Sequence, residues 1–424
     1  MKNINEKISI IGGGISGIAA AVYLIENGYK VELFESKKNL GGRAGSIQNS
    51  KNSVDIGHHI FLPSYKNFID LLKKINSQED LNIEKKLNIV VQDHSKKYHI
   101  KSNVPIYPLN LILSVLNYKN LKIFERVKII FTLFKLSKLK NYNPKISFKS
   151  WLEKNGQNEE MINKFWEIIC VPAFNSKLNK IPLIHAVNLF KIMIFNYKKP
   201  IGICYFKKPF SEIINENFSN YMKSNNSKLF LGEKIKNIKC SKNNYVLEGK
   251  KRNYKSAKVI IATNITNANS LGYIEKNICI DSNGIINIYF WFDKKIMNEE
   301  FISFSNSKLE WVFSDNKIQK DNHGFKIVIS LSAVGDLIKS TNEKIIIEYE
   351  KIIRKELKIP KNVKITKSLV IRSPKATQTK STLSNINKNN KNMFFVGDWT
   401  IPELPNTMET AVLSSKTLID SKFK

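Results

Sequence analysis

The sequence predicts an α/β protein. A parallel sheet flanked by helices is visited by the chain more than once, and a second layer of mixed sheet and helices lies beside it. Three observations carry that expectation. Near the start, the apolar run Ile8-Ser9-Ile10-Ile11 leads into Gly12-Gly13-Gly14-Ile15-Ser16-Gly17 and then Ile18-Ala19-Ala20-Ala21-Val22-Tyr23-Leu24. That is strand, glycine turn and helix in succession. A second strand-length run, Val31-Glu32-Leu33-Phe34, follows and stops at Glu35. Near the far end, Met393-Phe394-Phe395-Val396 repeats the strand pattern. It passes through Gly397-Asp398-Trp399 and a Pro-containing turn to Thr407-Met408-Glu409-Thr410-Ala411-Val412.

The first element has the parts of a pyrophosphate site. Gly12 permits the tight turn out of the strand, Gly14 lets the backbone approach a phosphate, and Gly17 lets the helix pack closely on the sheet. The helix start at Ile15 and Ser16 offers free N–H groups and positive partial charge. Glu35, followed by Ser36, stands where a carboxylate accepts from ribose hydroxyls. A dinucleotide held at its pyrophosphate by this element, and at its other end by the C-terminal one, is FAD rather than NAD. The expected fold is thus a discontinuous Rossmann-like FAD-binding domain with a mixed-sheet plus helical substrate domain.

Asn39-Leu40-Gly41-Gly42-Arg43-Ala44-Gly45-Ser46 follows directly. With it the chain resembles the flavoprotein superfamily of amine oxidases and carotenoid desaturases, whose second signature is a GGR tripeptide after the ribose-binding acid. The resemblance implies that Gly42 and Arg43 lie against the FAD phosphates and ribose; arginine suits bidentate phosphate contact. Gly57, His58 and Ile235 complete the expected cofactor lining. Gly397 and Asp398 are expected at the ribityl chain. Thr407 and Met408 are expected at a helix start whose N–H groups stabilise negative charge on the reduced flavin.

Composition narrows the function classes. At 424 residues the chain fits two intertwined domains. The formal net charge of +32 accompanies abundant Lys, Asn and Ile, as an AT-rich coding sequence produces. No nucleic-acid motif accompanies it, so an anionic membrane surface is the more useful reading of the charge. Cys170, Cys204, Cys240 and Cys279 form no CxxC and read as free thiols in a reducing compartment. The six histidines show no metal-ligand spacing, and no metal is expected. There is no signal-peptide pattern and no uncharged run of membrane-span length. The expectation is a cytoplasmic protein, peripheral on the inner face of a membrane.

Along the chain, residues 1–60 read as the first part of the FAD-binding domain and 61–224 as a largely helical substrate or membrane-facing domain. Residues 225–275 are strand-rich and return to the FAD-binding domain through Lys258-Val259-Ile260-Ile261-Ala262-Thr263. Residues 276–385 form the substrate-domain sheet around Gly284–Phe292, and 386–424 close the FAD site. The Asn/Lys tract 384–392 reads as a loop. Between residues 106 and 139, apolar runs alternate with Lys119, Lys122, Arg126, Lys128, Lys135 and Lys138. The spacing suits amphipathic helices that either lie in a bilayer interface or cover a substrate cavity.

Further blocks narrow the resemblance: Asp55-Ile56-Gly57-His58-His59, Ser150-Trp151-Leu152 with Gly156-Gln157, Phe165-Trp166 through Phe174-Asn175, Lys375-Ala376-Thr377-Gln378, and Leu404 to Glu409. Together and in this order they are similar to the squalene-associated FAD-dependent family, the hydroxysqualene dehydroxylases of bacterial hopanoid biosynthesis. The resemblance implies a C30 isoprenoid substrate whose hydroxyl leaves as water while hydride arrives from reduced FAD. His58 and His59 are the candidate acids, with Glu409 assisting. A carotenoid desaturase running hydride the other way is the alternative, and an amine oxidase or a non-catalytic lipid-binding flavoprotein is more distant. Two departures from the family pattern stand out. Thr410 replaces a usual Gly after the glutamate of the closing helix, and His58 stands where relatives often carry Gln.

Overall fold

The computed structural model describes residues 7–49, 52–84, 86–140, 142–143, 146–199, 202–241, 244–272, 282–314, 323–378 and 392–423. Cys279 and nearly all of the Asn/Lys tract lie outside them.

Three separated stretches of chain build one five-stranded parallel sheet. Its order is Lys228–Leu231, Lys30–Glu35, Lys7–Ile11, Lys258–Ile261, Met393–Phe395. The three inner strands are short runs of Ile, Val, Leu and Phe buried on both faces, as a parallel sheet requires. The helix Ile15–Glu26 covers one face together with the closing helix Met408–Lys422. Their seam is closed by Ser415 Oγ donating to Ser16 O at 2.8 Å. Both glycine-rich turns thereby open at the same end of the sheet.

A seven-stranded sheet forms the second layer, in the order Ile365–Gln378, Ser282–Phe292, Phe325–Leu331, Trp311–Ser314, Phe301–Ser305, Asn88–Asp93, Lys96–Lys101. Side chains alternate along its interior Ser282–Phe292 strand. Ile286, Ile288, Phe290 and Phe292 pack with Ile345, Tyr349 and Ile353 of the Asn342–Glu356 helix. Tyr289 and Trp291 face the opposite core, shared with the helices between residues 109 and 195.

The stretch 61–224 is less helical than its sequence suggests. It supplies the hairpin Asn88–Asp93 and Lys96–Lys101 to the edge of the large sheet. Ile89, Val90 and Val91 make the inner strand, while the outer strand, KKYHIK, carries the charges of an exposed edge.

The tryptophan- and asparagine-bearing blocks build the helical layer's interior. Gln157 Oε1 accepts from Trp166 Nε1 at 2.8 Å and Gln157 Nε2 donates to Thr132 Oγ1 at 2.9 Å. Asn175, in the left-handed region at φ 48°, ends a helix and donates to Asn283 O and Thr377 Oγ1, both at 3.0 Å. Those bonds tie the helices to one another and to the large sheet.

Candidate flavin site

The glycines of the first turn divide by what a side chain would meet. A Cβ on Gly12, at φ +111°, would lie 2.8 Å from Ala262 O, and one on Gly17 would lie 1.9 Å from Gly12 O. Packing alone demands both. A Cβ on Gly14 would meet nothing closer than Gly42 Cα at 3.9 Å. Protein packing does not explain Gly14, whereas a phosphate over the helix start does. Ile15 and Ser16 are buried there and begin the helix.

The GGR segment folds back over this turn. Gly41 N donates to Gly13 O at 2.9 Å, and Gly41 and Gly42 have φ of 99° and 62°. A Cβ on Gly42 would lie 3.1 Å from Gly14 Cα. Two glycine backbones therefore face one another across the cradle. Arg43 extends beyond it, donating to Ala376 O at 3.0 Å and to Asp398 Oδ1 at 2.6 Å. Asp398 is buried, and its other oxygen accepts from Asn406 Nδ2 at 2.8 Å.

Glu35 is buried at the end of its strand. Oε2 accepts from Gly13 N at 2.7 Å, and Oε1 from Lys37 N at 2.8 Å and Ser36 Oγ at 3.1 Å. A carboxylate has roughly four acceptor positions, so room remains for a ribose hydroxyl. Ser36 is exposed and turned to Glu35. Glu233 N donates to Glu35 O at 2.9 Å, which carries buried Ile235 past the same strand end.

At the closing end, Gly397 has φ 152°, and a Cβ there would lie 2.6 Å from Trp399 Nε1. Gly397 N donates to Ser414 Oγ at 2.9 Å, tying the turn to the closing helix. Thr407 caps that helix, its Oγ1 accepting from Thr410 N at 3.2 Å, and Met408 begins it. Thr410 Oγ1 donates to Pro405 O at 2.7 Å, so this departure from the family pattern is folded back onto its own turn.

Glu409 is not presented to a substrate. Its Oε1 accepts from Asn67 N at 3.2 Å and Asn67 Nδ2 at 2.7 Å, and its Oε2 from Phe68 N at 2.9 Å. It caps the Lys66–Lys74 helix, where a carboxylate meets the positive end of the helix dipole. Burial raises its carboxyl above the usual carboxylate range despite these donors.

The histidine pair divides between two aromatic surroundings, His58 on the large sheet and His59 on the Phe210–Ser224 helix. The His58 ring stacks on Phe313 with centroids 4.4 Å apart, and Phe313 stacks on Trp311 at 6.0 Å. The His59 ring packs edge-on to Phe210 at 6.2 Å. Burial pushes the His59 imidazole down to about 4, so it is uncharged at neutral pH and does not serve there as a proton donor in the charged form. Sequence reasoning missed two residues that position this segment. Asn287 Nδ2 donates to Ile56 O at 3.0 Å and Tyr289 Oη donates to Asp55 O at 2.6 Å. The available signal was a lone Asn between Ile286 and Ile288 in an otherwise apolar strand.

The sequence pattern of the flavin containing amine oxidoreductase family matches residues 15–417. The chain belongs to that family. Its cofactor is FAD, and it is an FAD-dependent oxidoreductase. The 15-cis-phytoene desaturase of Synechococcus elongatus is 21% identical over 451 residues, covering 97% of this chain and 94% of the relative. The zeta-carotene desaturase of Zea mays is 26% identical over 176 residues, covering 38% of this chain and only 31% of the relative's length. Among solved structures, an oxidoreductase from Methanosarcina mazei superposes with a TM-score of 0.73 at 16% identity, covering 98% of this chain and 100% of that one. Cyclohexylamine oxidase from Brevibacterium oxydans gives 0.68 at 12%, covering 98% of each. These likenesses show the shared fold. The glycine cradle, the buried acid at the strand end and the closing helix fit this oxidoreductase's FAD.

Proposed function

We propose that this flavoenzyme reductively removes the hydroxyl group of hydroxysqualene to give squalene, in hopanoid-type isoprenoid synthesis. The supporting observation is the placement of His58 against an aromatic wall, with His59 next to it in the chain. Loss of the hydroxyl leaves a delocalised carbocation, and the faces of Phe313, Trp311 and Tyr289 attract such charge. FAD, when bound, supplies hydride from its reduced form. Gly12, Gly14, Gly17, Glu35, Gly42 and Arg43 hold the dinucleotide, and Gly397, Asp398, Thr407 and Met408 orient its far end. Gly57, Ile235, Ile15, Ser16 and Ser36 complete the contacts. With Glu409 spent on a helix cap and His59 uncharged, His58 passes the proton to the leaving oxygen.

The test is direct. Photoreduced holoenzyme is incubated anaerobically with hydroxysqualene in detergent, and the lipid extract is analysed. Squalene and reoxidised flavin are expected; unchanged alcohol beside flavin that stays reduced contradicts the reading.

A second reading, carotenoid-type desaturation, is favoured by the phytoene desaturase relative, which aligns over nearly its whole length. It predicts bleaching of oxidised flavin by a polyene.

Membrane contact belongs to the same proposal. The Ile123–Lys138 helix buries Glu125, Ile129, Thr132 and Leu136. Its other side exposes Ile123, Phe124, Phe131 and Phe134, with Ile106 and Leu109 nearby. Lys122 and Lys128 flank Phe124, and Lys138 lies 4.2 Å from the Phe134 ring centroid. An apolar row ribbed with lysine suits the interface of an anionic bilayer, from which a C30 substrate is drawn. Among the described residues, no helix is long and apolar enough to cross a membrane.

A further inference from the structure

Asn287 is fully buried in the Ser282–Phe292 strand, on the face it shares with Tyr289 and Trp291. Its amide orientation is fixed by chemistry. Ile56 O only accepts, so Nδ2 faces it at 3.0 Å and Oδ1 points away. That Oδ1 is buried and has no hydrogen-bond partner among the described residues. The same holds for His59 Nε2. Burial lowers the His59 pKa and a backbone hydrogen bond to Ala44 raises it, which marks Ala44 O as the acceptor; with Nε2 unpartnered, the donor is the ring's other nitrogen. A bond to that carbonyl requires Nδ1–H and leaves Nε2 as an acceptor. Both side chains flank Gly57: a Cβ there would lie 3.4 Å from Asn287 Nδ2 and 4.0 Å from His59 Cε1. Beside the aromatic wall, then, stand two buried neutral acceptors that lack a donor. Such groups are costly to bury unless a donor reaches them.

We propose that Asn287 Oδ1 and His59 Nε2 form the site that receives the departing oxygen of the substrate, accepting one hydrogen bond each from the leaving water. The proposal rests on the dehydroxylation reading and deepens it. In that reaction the C–O bond breaks with its electron pair on oxygen, a proton makes that oxygen water, and hydride forms the new C–H bond. The hydride and the proton together are the two hydrogens of dihydroflavin. The alcohol carries one O–H hydrogen, whereas the protonated oxygen carries two. Two acceptors are both satisfied only once the leaving group is forming, so the pair favours the transition state over the ground state. A hydrocarbon carries no donor at all, so the pair also separates a hydroxylated substrate from a polyene.

The probe is the C30 amine in which an ammonium group replaces the hydroxyl, since it offers more than one N–H to the pair. Its binding to the oxidised holoenzyme is read from the flavin absorbance and compared with that of the alcohol. The amine is expected to bind at least tenfold more tightly. Asn287→Leu should bring the ratio close to one and lower kcat at least tenfold with little change in KM. Tyr289→Phe removes the neighbouring anchor on Asp55 without touching the acceptors, and should leave the ratio unchanged. Equal binding of amine and alcohol by the unaltered protein overturns the proposal without recourse to any variant. A ratio that survives Asn287→Leu, or falls equally in Tyr289→Phe, also overturns it. If hydroxysqualene is still converted to squalene in those cases, the functional reading stands and only this inference fails. If no squalene forms and a polyene bleaches the flavin, both fall.

Discussion

Arg43 and Asp398 form an ion pair at 2.6 Å, joining the GGR turn near one end of the chain to the Gly-Asp-Trp turn near the other. Asp398 is buried and Arg43 is partly exposed, so the pair latches the cradle from its solvent side. Charge-assisted hydrogen bonds of this kind contribute about 1.5–3 kcal/mol, less when one partner meets water. Arg43→Ala should weaken FAD binding about tenfold and lower apoprotein stability by about 1 kcal/mol. Fluorescence titration of apoprotein with FAD and urea unfolding measure the two effects. Unchanged FAD affinity would show that Arg43 does not reach the cofactor.

The two packing environments of the glycine turn give opposite outcomes for similar substitutions. Gly17→Ala places a Cβ within 1.9 Å of Gly12 O and should prevent folding or lower the melting temperature sharply. Gly14→Val places its Cβ in ordinary contact, 3.9 Å from Gly42 Cα, and should leave apoprotein stability nearly intact while abolishing FAD retention. Flavin content after gel filtration, set beside the melting temperature of apoprotein, separates the cases. A Gly14→Val protein with normal flavin content would refute the cradle.

His59 gives the apoprotein a pH signature. Its ordinary value of 6.5 is lowered to about 4 by burial. Between those values the unfolded chain binds the proton and the folded chain does not. Stability is thus present above pH 6.5 and is lost as pH falls toward 4, at a slope of no more than about 1.4 kcal/mol per unit from this group. Urea unfolding at pH 7.5 and 5.5 should show that loss, and His59→Gln should flatten it. Equal slopes in both proteins would mean that His59 is not buried uncharged.

Much of the flavin half was readable from sequence because its determinants are local. Glycine turns, the acid at a strand end and apolar strand runs each lie within about a dozen residues, where periodicity and turn chemistry operate. The rest is non-local. Nothing near Glu409 shows that it caps a helix at Asn67 and Phe68, because that contact is made by packing the Lys66–Lys74 and Met408–Lys422 helices together. The hairpin at Asn88–Lys101 was hidden because its outer strand is edge-exposed and charged, without the alternation that marks a half-buried strand. Asn287 looked like one more polar residue until the Ser282–Phe292 strand proved interior to the sheet and Ile56 proved its partner.

The exposed phenylalanines of the Ile123–Lys138 helix predict membrane attachment. The protein should float with anionic liposomes at low salt and bind less at high salt, because exposed charge is screened. Phe131→Ser with Phe134→Ser should remove the salt-resistant part, since burial of apolar area in the interface supplies it. Flavin content should not change. Absence from the lipid fraction at every salt concentration would refute the membrane-facing role.

A single anaerobic turnover in deuterium oxide tests the direction of hydride transfer. The flavin-bound protein is photoreduced in D2O, where the transferable hydrogen of dihydroflavin exchanges with solvent, and is then mixed with hydroxysqualene in detergent. Flavin absorbance is followed and the extract is analysed by mass spectrometry. The expected result is reoxidation of the flavin with formation of squalene carrying one deuterium at the former carbinol carbon. Reduced flavin that persists beside unchanged hydroxysqualene, in a protein whose oxidised flavin bleaches with phytoene, would contradict it and assign hydride transfer in the opposite direction.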